Sequence, residues 1–334
     1  MTITVQTHDA MSALVGREVK MIEMKNHSQM AVRVLTLGGI LFGIDIPDAA
    51  GVSENILMQY DHFEHWRENP FYLNAVIGPS AGRMEDGLLD LGASVHSLDI
   101  NNSGHCLHGG AAGFHRQIWD LEASREDESV AQVTLSYNHP DGLGGFPGDI
   151  AVKVVYTLHV DWQLDIEFFA TTDQLSHLNM THHNYYNLSG NCKRPIDKQS
   201  LWLNAKRYFP LSARSIPMES SVSVEQTPFD FTTLKSIDHA YTSEQMGLDH
   251  PFDLEAPVMS GASAAVLFDR ESGRKMELIT KENALVVYTQ NVSVQHHMGI
   301  CFEAQKRPNT VCPLEPHTPF YQKHELIFSV FKAT

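Results

Sequence analysis

Apolar and polar residues alternate along much of the chain with a period of two. In "IAVKVVYTLHV", Val152, Val154, Tyr156, Leu158 and Val160 interleave with Lys153, Thr157 and His159. After a turn at Asp161-Trp162-Gln163, "LDIEFFA" resumes the pattern, with Leu164, Ile166 and Phe168 against Asp165 and Glu167. Successive side chains on a strand point to opposite faces, so this stretch predicts a hairpin with one face buried. "AQVTLSY", "SAAVLFD", "KMELIT", "ALVVYT" and the terminal "ELIFSVF" read the same way. Turn-forming clusters such as "HPDGLGGFPGD", "DRESGRK" and "TKEN" separate them. One segment reads as helical: in "ILMQYDHFEHWREN", Leu57, Tyr60, Phe63 and Trp66 recur about one turn apart. "SIDHAYTSEQMGLDHPF" is long and polar, which suits a functional loop better than a domain boundary. No repeat, low-complexity tract or linker divides the sequence. The expectation is an all-β protein, one antiparallel domain over residues 1–334 with two or more sheets.

Composition narrows the function. Hydrophobic residues make up 43 % of the 334, enough for a large core. Lys plus Arg total 24 against 40 for Asp plus Glu, a net charge of -16. Such an acidic surface disfavours nucleic acid and anionic membranes as partners. The four cysteines, Cys106, Cys192, Cys301 and Cys312, make no C-x-x-C pair. The opening "MTITVQTHDAMSALVG" lacks the basic and apolar regions of a secretory leader, and no apolar run reaches membrane-spanning length. A cytoplasmic protein with reduced thiols is expected.

Histidine is the abundant chemical group, with 19 in the chain. "LNMTHHNYYNLSG" sets His182 beside His183, and on extended backbone at most one of the two faces a given pocket. In "NNSGHCLHGGAAGFHRQIWD", His108 precedes Gly109-Gly110, with Phe114 and Trp119 nearby. A histidine on a glycine-rich turn beside aromatics suits a sugar, although Trp119 itself reads as core. Arg83 in "GPSAGRMEDG", taken alone, reads as an exposed residue of a strand-to-strand turn. Glu303 in "MGICFEAQKRPNT" follows an apolar run, and burial there would raise its pKa toward that of a general base. His105 and His108, His182 and His183, and His296 and His297 are possible imidazole ligands. There is no H-E-x-x-H, and adjacent pairs on strands point apart, so no metal is expected.

Taken in order, these segments resemble the aldose 1-epimerase (galactose mutarotase) family. The resemblance runs from "NAVIGPSAGRMEDG" through the His108 block, "HPDGLGGFPGDIAVKVVYTL", "LNMTHHNYYNLSG", "TPFDFTTLKSI", "MGLDHPFDL" and "SGRKMELITKENALVVYT" to "CFEAQKRPNT". It implies a large antiparallel β-sandwich, the galactose mutarotase-like supersandwich. It also implies that α and β anomers of an aldohexose are interconverted by acid–base ring opening. In that reading Glu303 is the base, His183 the acid, and Arg83, His108 and Asp249 bind the sugar. His182 stands where the family usually has Asn, and Val286 where it often has Gln. These departures touch substrate contacts more than the acid–base pair. Ordinary pKa values, about 4.3 for Glu and about 6.5 for His, would leave Glu303 ionised and His183 partly protonated near neutrality. Only protons move, so no cofactor is implied. The partner is a monosaccharide, with no nucleic acid and no membrane, and the protein is a monomer or homodimer. Competing readings are a hexose-6-phosphate mutarotase, a non-catalytic carbohydrate-binding protein of the same fold, and a metal-dependent isomerase.

Overall fold

The alternating segments assemble into two large antiparallel sheets and a smaller N-terminal one. They are seen in a computed structural model that describes residues 1–243, 246–254, 261–291 and 297–332. The nine-stranded sheet contains the predicted hairpin, Ile150–His159 with Gln163–Thr172. The C-terminal strand Phe320–Val330 is inserted in the same sheet, between Gln163–Thr172 and Arg274–Thr280. The six-stranded sheet runs Tyr185–Tyr186, Ile300–Gln305, Ala284–Tyr288, Asp249–Asp253, Arg207–Tyr208, Val222–Ser223. The N-terminal sheet has five strands, from Thr2–Thr7 to Ser53–Asn55, in sequence order. Val154 and Phe328 of the first sheet, Leu285 and Phe302 of the second, and Val32 and Ile44 of the third join one buried apolar cluster. The fold is a β-sandwich, all-β as expected. Among the described residues no helix is long and apolar enough to cross a membrane.

The period-of-two reading holds in the hairpin, with instructive exceptions. Val152, Val154, Tyr156, Leu158, Leu164, Ile166 and Phe168 are all buried. Val160 is not: it lies past the strand end, 43 % exposed, where the chain turns at Trp162 with φ 67°. Asp165, on the opposite face, is buried instead of solvated. Its carboxylate accepts from Gln163 Nε2 at 2.6 Å and pairs with Lys323 Nζ at 3.0 Å. Long polar neighbours cover it, so burial there reflects pairing rather than an apolar face.

The expected helix around Leu57–Trp66 is mostly absent. Only Phe63–Trp66 forms a short 3-10 turn. Leu57 instead bridges Tyr186, and Met58 N–H donates to Tyr185 O. A spacing of three suits a 3-10 turn as well as an α-helix, and here it records packing of Tyr60, Phe63 and Trp66 around Met11 and Leu35. A helix the sequence reading overlooked lies at Asp9–Val15. His8 Nδ1 accepts from Met11 N–H at its start, and Gly16 ends it with φ 74°.

Candidate active site

The strand Ile300–Gln305 is buried on both faces. Ile300, Phe302 and Ala304 enter the main core. Alternation therefore sends Cys301, Glu303 and Gln305 to the other side. There a cleft is lined by Glu303, Gln305, Val286 and Asp249 from the six-stranded sheet. Arg83, Leu107 and His108 close it from a two-stranded ribbon, Arg83–Met84 with Cys106–Leu107.

The two adjacent histidines part company here. His183 N–H donates to Ala75 O, and His183 O accepts from Asn74 N–H. Asn74 Oδ1 also accepts from Tyr185 N–H at 3.0 Å, so the segment before residue 80 pins this backbone. His182 turns inward, its Nε2 2.9 Å from Tyr156 Oη. His183 turns the other way, and its Nε2 lies 3.4 Å from Glu303 Oε1. Its Nδ1 faces Cys301 Sγ at 3.6 Å.

His108 is held by a turn only glycines can complete. His108, Gly109 and Gly110 have φ of 54°, 83° and 74°. A Cβ at Gly109 would stand 2.2 Å from Gly78 O. Gly82 N–H donates to His108 Nδ1 at 3.2 Å, while His108 N–H donates to Gly82 O. A neutral His108 therefore carries its proton on Nε2. Its ring stands perpendicular to that of His183, centroids 5.1 Å apart. Arg83 is half-buried, and its Nε donates to Asn102 Oδ1 at 3.1 Å.

Burial dominates the electrostatics. It pushes the Glu303 carboxyl up to about 8, with the charge of Asp249 adding and Arg83 opposing. Asp249 is raised to about 6 for the same reason, again against Arg83. Burial lowers His183 to about 4 and takes His108 well below its ordinary value. The sequence-based expectation of an ionised Glu303 and a partly protonated His183 is thus inverted. Between about 4 and 8 the pair thus holds one proton, and burial favours its place on Glu303 because that leaves both groups neutral.

The aldose 1-epimerase family model matches residues 20–319. The chain belongs to the aldose 1-epimerase family. Galactose mutarotase of Bos taurus is 28 % identical over 303 residues, covering 87 % of this chain and 86 % of the relative. Aldose 1-epimerase of Escherichia coli K12 is 27 % identical over 281 residues, covering 83 % and 80 %. The crystal structure of galactose 1-epimerase from Lactobacillus acidophilus NCFM superposes with a TM-score of 0.86 at 26 % identity, over 99 % of each chain. This aldose 1-epimerase family member is accordingly an enzyme, an isomerase.

All five residues expected from the sequence meet at this epimerase-family cleft: Arg83, His108, Asp249 and Glu303 line it, and His183 abuts Glu303. Phe114 and Trp119 do not. Trp119 is core, and Phe114 packs where a Cβ on Gly78 would be. Tyr72 is the aromatic beside both histidines, 4.6 Å from His108 between ring centroids and 6.0 Å from His183, and Tyr185 lies 5.1 Å from His183. Tyr72 was not singled out, because nothing local in "NPFYLNA" marks it. Gln305 was also missed, although it lies two residues beyond Glu303 and so shares its face. Asp249 sits where the long polar segment enters a strand.

The same trio has metal-ligand potential. Donor atoms of His108, His183 and Glu303 lie within 4.8 Å of one another. A metal-bound histidine usually donates its second ring N–H to an acceptor. His108 does the reverse, accepting from Gly82 through Nδ1 and keeping a proton on the nitrogen a metal would take. The other imidazoles are dispersed: His105 Nδ1 accepts from Asp86 N–H, His182 faces Tyr156, and His297 stacks on Tyr241. His296 lies outside the described residues.

Proposed function

We propose that this enzyme interconverts the α and β anomers of an aldohexose, with Glu303 as base and His183 as acid. Ring opening begins with Glu303 ionised and His183 protonated. Glu303 takes the proton of the C1 hydroxyl, the C1–ring-oxygen bond breaks, and His183 Nε2 gives its proton to the ring oxygen. The products are an open-chain aldehyde, a neutral His183 and a protonated Glu303. That is the protonation state burial favours in the free site. After rotation about C1–C2, the same state runs the reverse step on the other face. Glu303 returns a proton to the aldehyde oxygen while His183 takes one from the C5 hydroxyl.

The observation that carries this reading is the 3.4 Å approach of His183 Nε2 to Glu303 Oε1, with both groups buried beside the cleft. Each positioned proton transfer contributes on the order of 10²–10⁴ in rate. His108 Nε2–H is placed to donate to an oxygen in the cleft, while Arg83 and Asp249 hold hydroxyls and limit drift of the ring. On this reading residues 1–334 act as one domain, since Asn74 and Ala75 brace the His183 backbone. A hexose 6-phosphate fits less well. Arg83 is the sole lysine or arginine among the described lining residues, and nearby Arg214 is paired with Glu85 and Asp86.

The test is polarimetry of fresh α-D-glucose and α-D-galactose in EDTA. Accelerated mutarotation is expected from the native enzyme. Glu303→Gln and His183→Asn should each lower kcat by at least about 10²-fold. Folded variants of either kind with near-native turnover would refute the assignment.

A further inference from the structure

We infer that Gln305 reads a sugar hydroxyl remote from the anomeric carbon. The inference rests on the proposed sugar reading of the cleft and extends it to a specificity residue. Gln305 is fully buried and lines the cleft. Neither its Oε1 nor its Nε2 has a hydrogen-bond partner among the described residues. Buried amides are almost always satisfied, so both atoms of a buried amide left unmatched are costly unless something else meets them.

The surroundings point that something into the cleft. Gln305 pairs in register with Ala284, whose methyl is too small to cover an amide. Val286, opposite Glu303, and Pro251 line the same wall and offer no side-chain hydrogen bond. The strand cannot easily shift to find Gln305 another partner. Lys306 N–H donates to Asn179 Oδ1 and Asn179 Nδ2 donates to Lys306 O, which pins the next residue.

An amide both donates and accepts, as a sugar hydroxyl does. Two residues along an antiparallel strand span about 6.8 Å. With Glu303 at the C1 hydroxyl, Gln305 therefore meets a hydroxyl farther round the ring, on the side away from His183. Binding energy from such a non-reacting group orients the reacting one.

The experiment uses Gln305→Leu and Gln305→Glu in the full-length enzyme. Each is assayed by polarimetry on the faster of glucose and galactose, and on its 2-, 3-, 4- and 6-deoxy analogues. Gln305→Leu is expected to keep its Tm, because it removes no internal hydrogen bond. It should lower kcat/KM for the parent sugar about ten-fold, mainly through KM. With one of the 3-, 4- or 6-deoxy sugars the native and Leu enzymes should become equal. Gln305→Glu, which keeps an acceptor, should recover part of the loss. Equal losses on every analogue, no loss on the parent sugar, or a loss that vanishes only with the 2-deoxy sugar would each overturn the assignment. Should the native enzyme turn over neither sugar, the sugar-epimerase reading itself fails. Calorimetric binding of the same sugars then decides Gln305 separately, an unchanged Kd in Gln305→Leu counting against it.

Discussion

On the proposed mechanism, the proton held by Glu303 and His183 sets where on the pH scale the cleft can work. That mechanism requires that the pair hold one proton. With Glu303 raised to about 8 and His183 lowered to about 4, one proton is held between those values. Above about 8 the pair loses it, and on this mechanism both ring opening and ring closure stop. Unperturbed groups would hold a single proton only between about 4.3 and 6.5. The two cases separate at pH 7.5. We expect kcat/KM measured by polarimetry to be flat from pH 6.5 to 7.5 and to fall above about 8. A fall beginning near 6.5 would show that burial does not govern the pair. At this scale the sequence was only partly legible. Alternation said that His182 and His183 diverge, and resemblance said which one faces the site. The protonation order was not legible, because desolvation arises from chain segments far apart in sequence. Gln305 was legible in principle from its two-residue step beyond Glu303.

The elements that hold these residues make their own demands. The turn after His108 needs glycine at 109 for two reasons, a φ of 83° and a carbonyl 2.2 Å from any Cβ. Gly142 also has a positive φ, 76°, but a Cβ there meets open space. Comparing the two alanine variants separates backbone strain from collision. Gly142→Ala should cost about 1 kcal/mol of stability and leave turnover intact. Gly109→Ala should cost more, about 2–3 kcal/mol, and should also lower kcat by displacing His108. Thermal melts and polarimetry on both variants check this; equal behaviour would show that the Gly78 contact is dispensable. The glycine pair was visible in the sequence, but the Gly78 carbonyl that makes it necessary was not. Element type followed the same rule. Strands whose apolar residues share one face, such as Ile150–His159, were read correctly, although Val155 and Thr157 on its other face are buried as well. The Leu57–Trp66 segment was misread, since apolar residues every third position pack equally well along a winding chain.

Across the whole molecule, the burial that tunes the site also creates a liability toward acid. His115 and His182 are lowered to about 3, and His177, His183 and His324 to about 4, in each case chiefly by burial. All five are buried. Below the ordinary value near 6.5, the unfolded chain takes up protons that the folded one refuses. Each such histidine then favours unfolding by about 1.4 kcal/mol per pH unit, until the pH reaches its folded value. Glu303 and Asp249 act in the opposite sense, because their raised values let the folded chain bind protons earlier. Two carboxyls do not offset five imidazoles. Their uptake is complete once the unfolded carboxyls also protonate, near 4.5 and 3.8. With typical domain stabilities of about 5–15 kcal/mol, loss of the fold between pH 6.5 and about 4.5 is the expected outcome. Tm followed by calorimetry should therefore be level near neutrality and drop steeply over that interval. The acid side of the rate profile would then report unfolding, and the alkaline side the Glu303–His183 proton. His182 offers a direct check, since it faces Tyr156 in the core rather than the cleft. Tyr156 Oη keeps its hydrogen bond to Gly39 O without it. His182→Phe should make the acid decline of Tm shallower while leaving the alkaline limb of activity in place. An unchanged acid decline would place the sensitivity elsewhere than in the buried imidazoles.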